Sequence, residues 1–131
     1  MIEIKYSIQN SKIHGKGVFS EQFIAQGSVI WRWTGKEIEN EKFKKFSVKQ
    51  QEKMRHYSYR SKNTGNWYLA EDDIEFLNHS DAANSTEKID PDSGAGILVA
   101  KRIIKKGEEI TQDYREFETE ADLVRRGIKA R

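Results

Sequence analysis

The chain has 131 residues, 36% hydrophobic and 34% charged, which suits one compact domain with a small core and a highly charged surface. With 23 basic and 21 acidic residues, its charge gives no reason to expect a nucleic-acid partner. The absence of cysteine excludes disulfides, thiolate zinc sites and cysteine nucleophiles. No apolar run approaches the roughly 20 residues that cross a bilayer, and the first residues lack the pattern of a secretory signal. We therefore expect a soluble, cytoplasmic protein without a bound metal.

Short strands separated by glycine turns are predicted for the first part of the chain. Residues 29–34 are rich in β-branched and aromatic side chains and lie between Gly27 and Gly35. From about Glu37 to Tyr57 the chain has neither glycine nor proline and is rich in Lys, Glu and Gln. This composition predicts one or two amphipathic helices.

Strands are predicted again at 67–70, 97–100 and 110–111. A short helix is predicted at about 119–130, with Thr119 as its N-cap and Asp122 placed to complete a capping box. Many short strands, one helical insert and one terminal helix predict a mostly-β α+β domain.

The helical segment also carries a cluster of basic side chains, which raises the alternative of a nucleic-acid surface. Glu41 and Glu52 are interleaved with these residues, which favours an ordinary solvated face. The basic residues are Lys42, Lys44, Lys45, Lys49, Lys53 and Arg55.

The segment 13–19 is the first of three that carry residue types suited to a ligand site. Its two glycines, Gly15 and Gly17, allow the backbone to approach a ligand closely and allow positive φ, although a simple hairpin turn would use them too. The spacing matches neither a phosphate-binding P-loop nor a dinucleotide-binding fingerprint.

The second and third segments place polar groups after apolar residues. Asn78-His79-Ser80 offers several donors and acceptors within three residues, although the same residues would suit a capped turn. A nucleophilic triad is disfavoured because Ser80 is adjacent to His79 in sequence. In the third segment, 107–114, a turn leads into a strand that ends at Tyr114.

Taken in order, Gly-x-Gly-Val-Phe, Asn-His-Ser and Gly-Glu-Glu-Ile-Thr-x-Asp-Tyr resemble the signature of SET domains, a family of protein lysine methyltransferases. The resemblance spans about residues 10–117. It implies a β-clip fold of small sheets, a helical insert at about 37–57, and a C-terminal segment threaded under a preceding loop as a pseudoknot. Residues 1–131 would then form a single minimal SET domain.

The activity implied by the resemblance is transfer of a methyl group from S-adenosylmethionine to the ε-amine of a lysine in a protein substrate. S-adenosylhomocysteine would be the product. Tyr114 would stand at the methyl-transfer point, and the threading would bring Asn78 and His79 close to it. The residues implied in cofactor binding are Lys16, Gly17, Val18 and Phe19 through their backbone, with Tyr57, Asn78 and His79.

Three positions are implied to line the substrate channel. Trp33 occupies a position where many members carry a tyrosine, and Gln112 one where Phe or Tyr helps to set the number of methyl groups added. Phe117, the only aromatic residue after Tyr114, is the candidate for closing the channel.

Other departures from the family pattern are Glu75 for a frequent arginine, and Asp81 and Ala83 for a Cys and a Pro. With Trp33 and Gln112, they leave open an alternative, a non-catalytic SET-like protein-interaction module. No cysteine-rich segment follows Tyr114, so we do not expect the zinc-bound lid of many eukaryotic members. Formation of a homodimer would be one way to complete the channel.

Overall fold

The computed structural model describes residues 1–34, 36–62, 64–69, 72–92, 94 and 96–129, and leaves the side chains of His56, Tyr57 and Tyr59 outside the description. The chain divides into two compact units. The first comprises Met1–Thr34 and Asp72–Asp113, and the second the described residues of Gly35–Glu71 and Tyr114–Arg131. No helix in the described part of the chain is long and apolar enough to span a membrane.

Two small sheets form the first unit. The four-stranded sheet has the order β1 (Tyr6–Asn10), β2 (Lys16–Ser20), β10 (Glu109–Gln112) and β7 (Asn78–His79). The three-stranded sheet has the order β3 (Val29–Arg32), β9 (Gly96–Ala100) and β8 (Ser85–Ile89). A 3₁₀ turn, Asp73–Phe76, leads into β7. The predicted strands at 29–34, 97–100 and 110–111 are confirmed to within two residues.

Strand β10 lies between β2 and β7, two strands from much earlier in the sequence. It pairs antiparallel with β2, where Glu109 faces Phe19, and parallel with β7, where Gln112 faces His79. Each short strand therefore gains partners that no local turn could supply. Inserting the last strand in this way brings the first, second and third motif segments into one sheet.

The core of the first unit is largely aliphatic and includes the buried Trp31. Val18, Ile104 and Ile110 are at most 1% exposed, so the first and third motif segments both contribute to it. Trp33 packs against this core as a partly buried side chain. At about 25 cal/mol for each Å² of apolar surface removed from water, such burial is what stabilises strands only four or five residues long.

The second unit contains the helices and one sheet. Its sheet has the order β4 (Lys36–Ile38), β6 (Trp67–Leu69) and β5 (Ser58–Arg60). Its helices are α1 (Asn40–Lys44), α2 (Val48–Tyr57) and α3 (Glu120–Arg125), with a 3₁₀ turn at Tyr114–Glu116. Phe43 of α1 stacks on Trp67 of β6 with ring centroids 4.2 Å apart.

Two predicted helix boundaries were wrong. Glu37 and Ile38 belong to β4, because they pair with β6 and so take part in the sheet before the helices begin. The terminal helix ends at Arg125, since the chain turns at Gly127 with φ of +74°. Ala70, predicted as part of a strand, and Ala130, predicted as helical, lie outside the described residues.

The N-caps follow ordinary capping chemistry. The Thr119 hydroxyl accepts from the backbone N–H of Asp122, as predicted, and donates to the Asp122 carboxylate. The capping box that is complete in both directions lies elsewhere, between Ser47 and Gln50 at the start of α2. The six basic residues of α1, α2 and their connection are all exposed, and Lys44 pairs with Glu41 at 3.2 Å.

Candidate functional site

The side-chain amide of Asn78 ties the first motif segment to the second. Its nitrogen lies 3.0 Å from the carbonyl oxygens of both His14 and Lys16. The same nitrogen lies 2.9 Å from Oε2 of Glu109, which belongs to the third segment. Asn78 is 7% exposed, so these bonds form out of water, where a donor without an acceptor would be costly. One amide thus joins all three motif segments.

Glu109 is a member of this network that sequence reasoning missed. The hydroxyl of Ser11 donates to its carboxylate, 2.7 Å from Oε1 and 2.9 Å from Oε2. Ser11 also shapes the loop, because its oxygen accepts from the N–H of Ile13 and its own N–H donates to Gly15 O. Alternation along β10 places Glu109 on the face opposite Ile110, but the sequence could not indicate which loop that face meets.

Gly17 is required by close approach and not by its backbone angle. Gly15 has a φ of +46°, whereas Gly17 lies in extended β2, so the positive φ allowed by the sequence is used only at Gly15. A Cβ at position 17 would overlap Oε2 of Glu109, lie 2.8 Å from its Cδ, and lie 3.2 Å from Nδ2 of Asn78. The missing side chain therefore makes room for the Glu109–Asn78 contact.

The four predicted backbone contacts of β2 differ in their surroundings. Val18 and Phe19 pair with β1 on one side and with β10 on the other. Lys16 and Gly17 pair with β1, but the β10 ladder ends at Val18. Val18 as a whole is 1% exposed, so its side chain belongs to the core.

His79 lies between two acidic side chains. Its Nε2 is 2.9 Å from Oδ1 of Asp81, and its Nδ1 is 3.8 Å from Oδ1 of Asp113. The side chains of His79 and Asp113 are 18% and 17% exposed, while that of Asp81 is 72% exposed. Asp81, noted in the sequence as a departure from the family pattern, thus forms a hydrogen bond with the imidazole.

Asn84 forms hydrogen bonds with β10 in addition to those of the strand pairing. Its backbone N–H donates to the Thr111 hydroxyl, its side-chain oxygen accepts from the Thr111 N–H at 2.9 Å, and its amide donates to Glu109 O at 2.8 Å. The hydroxyl of Ser85 donates to Thr111 O. These contacts hold the strand that carries Glu109 and Gln112. Gln112 is 8% exposed, and its backbone oxygen accepts from Ser80 N–H.

Tyr114 belongs to the second unit, where its ring lies against Phe117 and Arg126. The ring of Phe117 lies 5.3 Å away, centroid to centroid, at 53°. The guanidinium of Arg126 lies 5.0 Å from the Tyr114 centroid and forms two bonds, of 3.0 and 2.9 Å, with the carboxylate of Glu118. Burial acts to lower the pKa of Arg126, but the bond and the charge of Glu118 outweigh it and raise that pKa above its ordinary value.

The predicted site residues are therefore divided between the units. Asn78, His79, Gln112 and the β2 segment share one sheet of the first unit, while Tyr114 and Phe117 lie together in the second. Proximity of Tyr114 to Asn78 and His79 stays a prediction. Tyr57 ends α2, and its side chain lies outside the described part of the structure.

Residues 15–115 match the model of the SET domain family. The matched stretch contains residues 15–19 of the first motif segment and all of the second and third. This chain belongs to the SET domain family. The predicted fold class, small sheets with few helices as in SET domains, is confirmed.

Three similar proteins indicate how far the relationship extends. Over 129 residues the chain is 30% identical to the histone-lysine N-methyltransferase set-2 of Caenorhabditis elegans, covering 87% of this chain but 8% of that protein. It resembles the crystal structure of a candidate histone methyltransferase of Plasmodium falciparum, with a TM-score of 0.61, 28% identity, and 86% and 95% of the two chains covered.

The third similarity is to a humanized mutant of the Chaetomium thermophilum Polycomb Repressive Complex 2 bound to the inhibitor GSK126. The TM-score is 0.68 at 20% identity, over 89% of this chain and 16% of that one, so it concerns the fold alone. The SET domain spans only a small part of two of these three relatives.

Proposed function

We propose that this chain is an S-adenosylmethionine-dependent protein lysine methyltransferase organised as one SET domain over residues 1–131. The observation that carries the proposal is the network around Asn78. Its amide joins the His14–Lys16 loop to β7, two segments with residues implied in cofactor binding, and it also contacts Glu109 of the third motif segment. These contacts give the loop a defined shape, as a ligand site requires.

The donor set around this loop fits the cofactor. Lys16 and Gly17 lie beyond the end of the β10 ladder, which supports a role for their backbone in holding the methionine end. Because the amide hydrogens of Asn78 are committed to protein acceptors, its carbonyl oxygen is the atom suited to accept from the cofactor's ammonium group. S-adenosylmethionine, when bound, supplies an electrophilic methyl group on its sulfonium.

His79 suits the remaining, adenine part of the cofactor. Its ring lies between Asp81 and Asp113, and its backbone is held at the end of β7 by pairing with β10. Val18 and Phe19 contribute by keeping β2 between its two neighbouring strands. Tyr57 is proposed as a further cofactor or channel contact.

The substrate amine must be neutral to react. A free lysine has a pKa of about 10.4, and a channel that excludes water lowers that pKa by disfavouring the ammonium form. Trp33, Gln112 and Phe117 are proposed to line this channel, and the Tyr114 hydroxyl to orient the amine. Histones are the first substrate class to test, because the similar C. elegans protein is named a histone-lysine methyltransferase.

Incubation with methyl-labelled S-adenosylmethionine and a panel of lysine-bearing proteins, histones included, tests the proposal. We expect label in at least one protein, and mass spectrometry of the product gives the number of methyl groups. Calorimetry with S-adenosylhomocysteine is run on the same preparation. Cofactor binding without transfer to any protein would favour the non-catalytic interaction module. No binding would exclude both the methyltransferase activity and the assignment of S-adenosylmethionine as the ligand.

Tyr114→Phe tests the role of the hydroxyl separately. The ring that packs on Phe117 is kept, so cofactor affinity should stay within about twofold of wild type. Single-turnover transfer should fall by roughly a hundredfold, since a misplaced reacting group costs about that much. Equal turnover in the two proteins would remove Tyr114 from the mechanism.

The absence of a metal, a cytoplasmic location and a homodimer stay predictions. Metal analysis of the purified protein, cell fractionation and sedimentation, respectively, would test them.

A further inference from the structure

The cation of Arg126 lies against the ring of the residue proposed to orient the substrate amine. Its central carbon is 5.0 Å from the Tyr114 centroid. A guanidinium within about 6 Å of an aromatic centroid is attracted to the ring, and the attraction grows where water is excluded. This contact would favour one orientation of the Tyr114 ring over others.

Arg126 is itself held by a buried carboxylate. Its Nε lies 3.0 Å from Oε2 of Glu118 and its Nη2 lies 2.9 Å from Oε1, a two-pronged arrangement that fixes the plane of the guanidinium. The side chain of Glu118 is 2% exposed and that of Arg126 is 36% exposed. The cation is therefore directed by an anion that cannot move into solvent.

Glu118 is in turn fixed by backbone contacts with Tyr114 and with Ser61. Its N–H donates to Tyr114 O at 2.9 Å, and it forms a β-bridge with Ser61, which is 7% exposed. Next to this bridge, Lys62 N–H donates to Phe117 O at 2.9 Å, and Lys62 Nζ donates to Arg115 O. The carboxylate, the cation and the ring thus form one connected set of contacts that begins and ends at Tyr114.

We propose that the Glu118–Arg126 ion pair positions Tyr114, so that Arg126 is a positioning residue for methyl transfer. The inference rests on the proposed function for its catalytic consequence and on the geometry alone for its effect on the ring. Arg126 acts through Tyr114 and needs no contact with cofactor or substrate. Loss of the cation should therefore slow transfer without weakening cofactor binding.

Arg126→Met is the variant that removes the charge and keeps the length of the side chain. Arg125→Met is its matched control, because Arg125 is 55% exposed and pairs with Asp122 on the same helix. We expect single-turnover transfer to fall about tenfold in Arg126→Met, with cofactor affinity within about twofold of wild type, and no change in Arg125→Met. Arg126→Lys, which keeps a cation, should recover part of the rate.

A double-mutant cycle separates positioning from a general structural role. In a Tyr114→Phe background, Arg126→Met should have little further effect on the rate, since the hydroxyl it positions is gone. The same fold reduction in both backgrounds would overturn the inference. If Arg126→Met melts below the assay temperature, Glu118→Gln/Arg126→Met replaces it, because it leaves no unpaired buried charge.

A measurement on the ring itself distinguishes failure of this inference from failure of the proposed function. In protein labelled with 3-fluorotyrosine, the Tyr114 signal is assigned by its loss in Tyr114→Phe. We expect Arg126→Met to shift and broaden that signal, and Arg125→Met to leave it unchanged. An unchanged signal in Arg126→Met would overturn the positioning role. A displaced signal in a protein that transfers no methyl group would instead support the positioning role and overturn the proposed function.

Discussion

Each of the two units places a carboxylate behind a proposed site residue, but the two carboxylates are held in different ways. Glu109 in the first unit accepts from neutral groups, the Ser11 hydroxyl and the Asn78 amide. Glu118 in the second unit is 2% exposed and is paired with a cation, Arg126. A buried or partly buried glutamate can therefore organise a loop through neutral donors or hold a cation in a fixed position.

Neutral donors suit the purpose of the first network. Each such bond to a charged acceptor contributes about 1.5–3 kcal/mol, and several of them together determine the path of the loop from Ser11 to Gly17. The ion pair of the second unit behaves differently. Its net contribution to stability is little more than that of an apolar pair of similar size, but removal of one partner leaves a buried charge without a counter-charge. Removal of one group should therefore lower stability by a modest amount in the first network and by a larger amount in the second.

The largest effect on stability is expected for Arg126→Met. The variant leaves the Glu118 carboxylate buried and unpaired, which should lower the free energy of unfolding by about 2–3 kcal/mol, somewhat less than for a fully buried pair. Urea denaturation measures it. Arg125→Met should change stability by less than about 0.5 kcal/mol, and Glu118→Gln/Arg126→Met should regain much of the loss. A double variant no more stable than Arg126→Met would show that unpaired charge is not the cause.

Glu109→Ala should have the next largest effect. It deprives Ser11 and Asn78 of one shared acceptor but leaves the two backbone acceptors of Asn78, so we expect a loss of about 1–2 kcal/mol. Cofactor affinity, measured by calorimetry, should fall as well, because the loop loses its shape. Glu108→Ala is the adjacent control and should leave affinity unchanged. Equal affinities in wild type and Glu109→Ala would separate this network from the ligand site.

Gly17→Ala should destabilise the protein by about 1 kcal/mol, because its Cβ displaces the Glu109 carboxylate. In the presence of Glu109→Ala the same change should cost little, since the obstructing atoms are gone. The four proteins are compared by denaturation in one buffer. Strictly additive effects would mean that Gly17 is needed for another reason.

The smallest effect concerns Glu108, the neighbour of Glu109. A bond from Lys105 N–H, aided by Arg102 and opposed by burial, holds the pKa of Glu108 below its ordinary value. Because the folded pKa is depressed, this stabilisation is present above the unfolded pKa of about 4.3 and is lost as pH falls through the folded pKa. Glu108→Gln should therefore be less stable than wild type at pH 7 by well under 1 kcal/mol.

Thermal melting from pH 7 down to pH 3 measures that difference, and the two melting curves should converge at the acid end. If the difference in melting temperature persists unchanged to pH 3, its cause is packing and not the charge of Glu108.

The sequence by itself determined the family, the fold class, the strands β3, β6, β9 and β10, and the Thr119 cap. The strands and the cap depend on alternation, glycine turns and capping residues, which act within a few positions. The family follows from the order of three short motifs, each of which is visible in the sequence without knowledge of the fold. The same local information identified Asn78, Gly17 and Tyr114 as candidates. It extended the terminal helix beyond Arg125. It also placed Glu37 and Ile38 in a helix, whereas pairing with β6 outweighs their local helix propensity.

Only the tertiary structure decided what surrounds those candidates. Ser11 and Glu109 are 98 positions apart, and Ser61 and Glu118 meet across a bridge between distant segments. Such contacts depend on which strands pair and in what register, and a shift of one residue would turn every side chain of β10 to the other face. Gly17 could be recognised as a glycine with a purpose, but that purpose is set by a carboxylate brought to it by the insertion of β10 between β2 and β7.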